Sequence, residues 1–231
     1  MSDKDLHITV TEAAAALPTA KLKREHLNAV LEQIVHIEQS TSQKVRHAMP
    51  SLHEQDRARL QQMIDFLESP DLLRLVDEGH VTFGMIKPRT HEAKAGTIAT
   101  DEEIAQQVHD AVEPPLRVLA SQPFLISKEE AGEFYAHLKN RPEIFDRVAG
   151  FMASGAITGL VLYSSNNDAV QQWRQQMGPT NPTRSSEDGT RNTLRHRFAD
   201  TMENNVVHGS DSIDNVKVEL AFLADQLRKM L

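Results

Sequence analysis

His208 stands out among the histidines of this sequence by its position. It lies in NNVVHGSDS (204–212), after a short apolar run of β character and before serines that favour a helix start. An imidazole is therefore expected at the end of a strand, beside a helix N-terminus whose unpaired amides and dipole attract anions. A nucleophilic histidine there could accept a phosphoryl group. The chain has 11 histidines, and the alternative for each is a surface or helix-face role.

Basic side chains are expected around this histidine. Lys87 ends the first predicted strand in GMIKP, and Arg174 and Thr180 lie in WRQQMGPTNP, near a helix end and in the following loop. Arg195 belongs to TLRHRF, shortly before the His208 segment. Arginine offers a planar fork to phosphate oxygens and lysine a point charge, so convergence of these groups would form an anion site.

Each of these residues also has a plainer interpretation. Lys87 could be a solvated strand end, Arg174 a surface residue and Thr180 a turn cap, while Arg195 could pair with a carboxylate such as Asp188. Trp173, next to Arg174, is expected to serve packing.

Composition excludes several classes of protein. The 231 residues include no cysteine, which rules out a disulfide scaffold, cysteine-based zinc sites, iron–sulfur ligation and a cysteine nucleophile. A net charge of −8 argues against a general nucleic-acid binder, although a local basic cleft can still bind phosphate. Apolar runs such as 157–163 are too short to span a bilayer, and residues 1–20 lack an apolar signal core. We expect a cytoplasmic protein without membrane or specific nucleic-acid partners.

Residues 1–79 are predicted to form an all-helical extension. Apolar residues recur at helical spacing in a first segment, and a capping-box pattern (Ser51, Glu54) precedes a second. The two apolar stripes consist of Leu27, Val30, Leu31, Ile34 and Ile37, and of Leu60, Met63, Ile64 and Leu67. Neither helix can bury its stripe alone, so each is expected to pack on the other, on the next domain or on a second subunit.

Strands and helices alternate from residue 80 to residue 231, the second predicted domain. The order β-α-β-α-α-β-α-loop-β-α fits an antiparallel sheet with helices on one face, a ferredoxin-like α+β fold. The strands are expected at 81–87, 116–126, 156–163 and 205–207, and the helices at 100–112, 127–139, 142–154, 168–177 and 212–231. Residues 179–193 are polar and predict a long loop.

Six strings of residues carry a resemblance to a known family. In order along the chain they are TFGMIKP (82–88), EFYAHLKNRP (133–142), FMASGAITGLVL (151–162), WRQQMGPTNP (173–182), TLRHRF (193–198) and NNVVHGSDS (204–212). Their order and spacing resemble the nucleoside diphosphate kinase family over about residues 80–225. The combination of a GxTNP string with a downstream NxxHGSDS string is highly specific.

The resemblance implies a transferase that moves the γ-phosphoryl of a nucleoside triphosphate, usually ATP, to nucleoside diphosphates. His208 matches the family's phosphorylated histidine in a ping-pong reaction. Glu219 matches the carboxylate that orients and polarises this histidine, and Ser210 a hydroxyl of the same hydrogen-bond group. Lys87 and Tyr135 match the pair near the transferred phosphoryl. A core role for Tyr135 and a solvated role for Glu219 are the alternatives.

The resemblance also implies how the nucleotide is held. Arg174, Thr180 and Arg195 match a phosphate clamp, and Asn205 matches a sugar contact shared with Lys87. Mg2+ would bridge the nucleotide phosphates with few direct protein ligands, so no metal-ligating residue is named. Broad base specificity and a homo-oligomer, at least a dimer, are expected.

The sequence departs from the family pattern where a base-stacking aromatic is usual. The string RP is followed by Glu143 and Ile144, and Phe145 is the candidate replacement. The segment after Lys87 and the loop 181–195 are longer than usual, and the usual C-terminal tail is lacking. An assembly other than the family's hexamer or tetramer is therefore expected, with a dimer as the conservative choice.

Two other classes of function are alternatives for this sequence. A nucleotide-binding regulatory module could use residues 1–79 to bind a partner, and a histidine phosphocarrier could act in a signalling relay. Retention of the matched catalytic positions favours the enzyme.

Overall fold

The structure, a computed structural model, describes residues 54–88, 101–182, 192–199, 201–202 and 204–231. The predicted stripe from Leu27 to Ile37, the caps at Ser51 and Thr100, and most of the predicted loop 179–193 lie outside these residues. Among the described helices, none combines the length and apolar character needed to cross a bilayer.

The described chain alternates helices and strands, as predicted from residue 80 onward. The elements in chain order are α1 (Glu54–Leu67), α2 (Pro70–Asp77), β1 (Val81–Ile86), α3 (Asp101–Asp110), β2 (Leu116–Phe124), α4 (Lys128–Phe134), a 3-10 turn (Ala136–Leu138), α5 (Pro142–Met152), β3 (Ile157–Ser164), α6 (Ala169–Met177), α7 (Leu194–Phe198), β4 (Val207–Gly209) and α8 (Ile213–Met230).

The four strands form one antiparallel sheet in the order β2-β3-β1-β4. The predicted ferredoxin-like α+β fold is confirmed. Strand β1 lies at the centre and pairs with both β3 and β4, in a register that sets Met85 opposite His208.

Helices cover both faces of the sheet, whereas one covered face was predicted. Every residue of β1 is buried, as expected for a central strand with no face toward water. On one face Phe83 and Val161 pack with α8, α4, α5 and the two N-terminal helices. On the other face Leu160 and Trp173 belong to a second core with α3, α6 and α7.

Helices α1 and α2 pack into the same core as the sheet. Ile64 and Val76 are 2% and 0% exposed and belong to one apolar cluster with Phe83 and Leu223. Lys217 of α8 also forms an ion pair with Asp77 of α2 at 2.5 Å. The division of the chain at residue 79 stays a prediction, but the described residues 54–79 bury their apolar stripe in the core beside the sheet.

Two predicted elements differ in detail. The capping box of Ser127 and Glu130 is present at the start of α4, yet the helix ends at Phe134 because Tyr135 leaves the helical conformation. The predicted strand 205–207 starts two residues later, at Val207. Helix α7, capped by the Thr193 side chain, was not predicted.

Candidate active site

A tight turn sets the backbone that leads into His208. Val206 has a positive φ of 66°, and the Val207 N–H donates to the Asn205 carbonyl at 2.7 Å, which closes a three-residue γ-turn. The Lys87 N–H donates to the Val206 carbonyl at 2.8 Å. A β-branched residue at positive φ is strained, so the surrounding contacts must hold it. The turn explains why the strand begins at Val207.

The imidazole of His208 is held by Glu219 of α8. Nε2 lies 2.8 Å from Oε1 of Glu219, and the Ser210 hydroxyl donates to Oε2 at 2.5 Å. Because carboxylate oxygens accept hydrogen bonds, this contact assigns the proton to Nε2 and leaves the lone pair on Nδ1. Nδ1 has no hydrogen-bond partner among the residues that the structure describes.

Aromatic rings surround the same imidazole. The ring centroids of Phe134, Tyr135 and Phe83 lie 5.2, 6.1 and 6.4 Å from that of His208. The His208 side chain is 20% exposed. These neighbours limit rotation of the ring and leave part of it accessible to a substrate.

Tyr135 contributes a hydroxyl with no partner in the described residues. Its side chain is buried, and Oη forms no hydrogen bond there. Burial raises the pKa of Tyr135, and the nearby charge of Glu219 adds to this effect. The phenol therefore stays protonated at neutral pH and can donate a hydrogen bond to an incoming oxygen.

Lys87 and Asn205 form one polar group beside the turn. Lys87 Nζ donates to Asn205 Oδ1 at 2.7 Å, and Asn205 Nδ2 donates to the Thr180 carbonyl at 3.5 Å. The structure thus brings together Lys87, Asn205 and Thr180, three of the residues that the sequence predicted to bind the nucleotide.

Arg195 is a nearly buried cation beside β4. Its Nη1 donates to the Gly178 carbonyl and its Nη2 to the Val207 carbonyl, each at 2.9 Å. Its Nε has no partner among the described residues. Burial lowers the pKa of Arg195 to about 10, and Arg174 contributes, so the guanidinium remains charged at neutral pH. The predicted alternative partner, Asp188, lies outside the described residues.

Two further predicted site residues, Arg174 and Phe145, differ in how they relate to this cluster. Arg174 is exposed on α6, and its charge acts on Arg195 and on the carboxyl of Asp211. The ring of Phe145 packs against Gly132 of α4, where an added Cβ would lie 3.0 Å from the ring. Phe145 serves helix packing in this structure, and its base-stacking role stays a prediction.

Two site features went unrecognised in the sequence. Trp173 packs as expected but also donates from Nε1 to the His208 carbonyl at 3.1 Å. Phe134 lies closest to the imidazole of the three rings. The signal for the Trp173 contact was the pair of glycines, Gly84 and Gly209, that make room for the indole. The signal for the Phe134 contact was its position next to Tyr135.

Comparisons with known proteins agree with this fold. A family model described as nucleoside diphosphate kinase matches residues 80–227. The nucleoside diphosphate kinases of Methylobacterium radiotolerans and Rhizorhabdus wittichii are 36% and 39% identical over 141 and 142 residues. Each alignment covers 61% of this chain, and 89% and 90% of those relatives.

A solved structure shows the same relationship. The crystal structure of the Aquifex aeolicus nucleoside diphosphate kinase matches with a TM-score of 0.51 and 25% identity, covering 62% of this chain and 94% of that one. Fold and sequence together define a phosphotransferase enzyme. The chain belongs to the nucleoside diphosphate kinase family.

Proposed function

We propose that this chain transfers the γ-phosphoryl group of a nucleoside triphosphate, ATP in the first place, to nucleoside diphosphates through a phosphohistidine at His208. The observation that carries the proposal is the Nε2 contact to Glu219 at 2.8 Å. This contact holds the proton on Nε2 and leaves the lone pair of Nδ1 available for attack.

The reaction has two balanced halves. In the first, the Nδ1 lone pair forms a bond to the γ-phosphorus while the bond to the β,γ-bridging oxygen breaks, and the electron pair leaves with the nucleoside diphosphate. In the second, a β-phosphate oxygen of another diphosphate attacks the phosphohistidine, and the electron pair of the N–P bond returns to Nδ1. The product has a new γ-phosphate, and the enzyme is regenerated.

Positive charge and hydrogen-bond donors around His208 support this transfer. Phosphoryl transfer needs positioning and fixed donors to the equatorial oxygens more than covalent help from further groups. Tyr135 supplies a protonated hydroxyl, and Lys87 and Arg195 supply charge. Arg174 and Thr180 are proposed to complete the phosphate clamp at the outer side.

The nucleoside is proposed to lie beside the Lys87–Asn205 pair, which can bind sugar hydroxyls. Phe145 is the candidate for base stacking. Contacts to phosphates, sugar and one ring face would leave the choice of base broad.

Mg2+ is proposed to enter with the nucleotide, where it would neutralise part of the phosphate charge. Both carboxylate oxygens of Glu219 are already bound by His208 and Ser210. The lysine, arginine and amide groups of the described site suit phosphate oxygens, so this set of residues fits a metal carried by the substrate.

A homo-oligomer, at least a dimer, and a cytoplasmic location belong to the same proposal. Strand β2 is an edge strand of nine residues in the described sheet, and such an edge can pair with a second chain. Native mass measurement of the full chain tests the assembly, and a monomer would contradict it.

The enzymatic proposal is tested by labelling. The full chain is incubated with γ-labelled ATP and Mg2+, and His208→Ala and His137→Gln, an exposed histidine beside Tyr135, are treated in parallel. We expect acid-labile, base-stable label on the wild type and His137→Gln only, and its discharge by GDP as GTP. Equal label on His208→Ala, or none on the wild type, contradicts the proposal. Label that GDP cannot discharge indicates a phosphocarrier instead.

A further inference from the structure

Trp173 is the only tryptophan of the chain and lies fully buried beneath β4. Its side chain is 0% exposed, and the indole N–H donates to the His208 carbonyl at 3.1 Å. A buried indole needs a hydrogen-bond acceptor, and here the acceptor is the main chain of the proposed phosphate acceptor.

Two glycines from neighbouring strands form the space for this ring. A Cβ at Gly84 of β1 would lie 3.0 Å from the indole, and one at Gly209 of β4 would lie 2.3 Å from it. The second distance leaves no room for any side chain. The residue that follows His208 therefore lies directly against the indole, and a shift of the ring would shift the strand.

Strand β4 depends on such contacts because it is short. It has three residues and lies at the edge of the described sheet, paired only with β1. On its backbone, Arg195 holds the Val207 carbonyl and Trp173 holds the His208 carbonyl. The imidazole itself is held by Glu219 and packs against Phe134. Main chain and side chain of His208 thus have separate supports.

We propose that Trp173 is a positioning residue for His208, a role that rests on the proposed function and extends it. The indole hydrogen bond fixes the position and direction of the His208 carbonyl, and with it the His208 backbone in β4. The carboxylate of Glu219 then fixes the rotation of the ring. Both restraints are needed because Nδ1 must meet phosphorus in line in each half-reaction, and small misplacements are costly in rate.

The first test is Trp173→Phe in the full chain, with Met177→Leu as the matched control. Met177 lies on the same helix, is 2% exposed and belongs to the same core. Losing one hydrogen bond that is used for positioning should lower kcat about fivefold, with KM for both nucleotides unchanged. Met177→Leu should change kcat less than twofold. A change in KM alone, or equal losses in the two variants, would overturn the proposal.

Trp173→Phe removes the hydrogen bond but also makes the ring smaller. An isosteric replacement removes the hydrogen bond alone. Because the chain has one tryptophan, growth on β-(benzothiophen-3-yl)alanine replaces only residue 173 and exchanges the N–H for sulfur. We expect the same fivefold loss of kcat in this protein. Full activity in a chain that carries the analogue would overturn the role of the hydrogen bond.

A measurement without nucleotide separates this proposal from the proposed function. The ring nitrogen signals of His208 in 15N-histidine-labelled protein are identified by their loss in His208→Ala. We expect the Nε2-protonated form in both proteins, because Glu219 is retained. The ring nitrogen signals of His208 should nevertheless shift in the analogue-containing protein, because the His208 carbonyl has lost its hydrogen bond. Identical spectra would overturn the positioning role, even if the wild type transferred no phosphoryl group.

Discussion

The carboxylate of Glu219 joins His208 to Ser210. One oxygen lies 2.8 Å from Nε2 of the imidazole, and the other accepts the serine hydroxyl at 2.5 Å. Glu219 comes from α8, whereas His208 lies on β4, so the pair connects the edge strand to the helix behind it. The serine fixes the carboxylate, and the carboxylate fixes the tautomer of the histidine.

Glu219→Gln should lower kcat about 30-fold. The amide keeps the size of the side chain but offers one acceptor in place of two, so either His208 or Ser210 faces an N–H group. A hydrogen bond to a charged group contributes about 2 kcal/mol, which corresponds to that factor. Steady-state kinetics measure this loss of kcat. The control is Asp214→Asn, since Asp214 is an exposed residue on the same helix. A loss below threefold would show that Glu219 does not orient the histidine.

Tyr135→Phe should stabilise the free protein while slowing transfer. Oη is buried without a hydrogen-bond partner in the described residues, and removing such a group gains about 1 kcal/mol in the free energy of unfolding. The same hydroxyl is proposed to donate to the phosphoryl group, so kcat should fall about tenfold or more.

Urea unfolding and kinetics of Tyr135→Phe must therefore move in opposite directions. Phe134→Leu is the comparison, since it changes the adjacent ring without removing a hydroxyl. A Tyr135→Phe protein that is both less stable and fully active would assign the tyrosine to the core alone.

The sequence predicted most of the sheet because its strands have strong local signals. The buried apolar runs of β1 and β3 and the capping box at Ser127 need no knowledge of distant residues. The shift of the last strand to Val207 depends on a γ-turn at Val206. A valine is a strand former, and a positive φ at valine cannot be inferred from its type.

The candidate site could be predicted by residue type but not by partner. Family motifs indicated His208, Glu219 and Arg195. They did not indicate that Arg195 would donate to two backbone carbonyls. They also did not indicate that Trp173 would donate to a third. Such bonds join residues that are distant in sequence, and no local pattern records them.

Alanine at two glycine positions should have opposite effects on stability. Gly178 has φ 79° and ψ −175°, a conformation largely confined to glycine, and an added Cβ would lie 2.3 Å from Thr193 Oγ1. Gly178→Ala should therefore cost about 3 kcal/mol. Gly150 lies in α5 with no atom within 4 Å of an added Cβ, so Gly150→Ala should gain about 0.5–1 kcal/mol. Denaturant unfolding measures both, and equal effects would contradict the geometry at Gly178.

Ile64→Ala should destabilise the sheet, although residue 64 precedes the part matched by the family model. Ile64 is 2% exposed and shares a core with Phe83 and Leu223, so its truncation should cost about 3 kcal/mol. Trp173 lies in the core on the opposite face, and its fluorescence reports unfolding there. If Ile64→Ala left the unfolding transition seen by Trp173 fluorescence unchanged, α1 would unfold independently of the sheet. Leu73→Ala, 38% exposed on α2, is the control and should have a small effect.

The pH dependence of stability should include a contribution from Glu130. The hydrogen bond from Lys229 and that from the Ser127 N–H lower the pKa of Glu130 below its usual 4.5. Between the two pKa values the unfolded chain binds more protons than the folded chain, so stability rises with pH there. The contribution is complete above pH 4.5 and is lost as the pH falls through the lowered pKa.

Glu130→Gln should therefore be less stable than the wild type at pH 7, by about 0.5–1 kcal/mol. The glutamine oxygen can still accept from the Ser127 N–H, but the negative charge that pairs with Lys229 is lost. The difference should shrink as the pH falls below 4.5, since the wild-type carboxyl then becomes protonated. Urea unfolding at pH 7 and at low pH measures it. Glu129→Gln, an exposed neighbour in the same turn, should show a smaller and flatter difference. A constant deficit of Glu130→Gln at both pH values would mean that packing of the side chain, and not its charge, supports the start of α4.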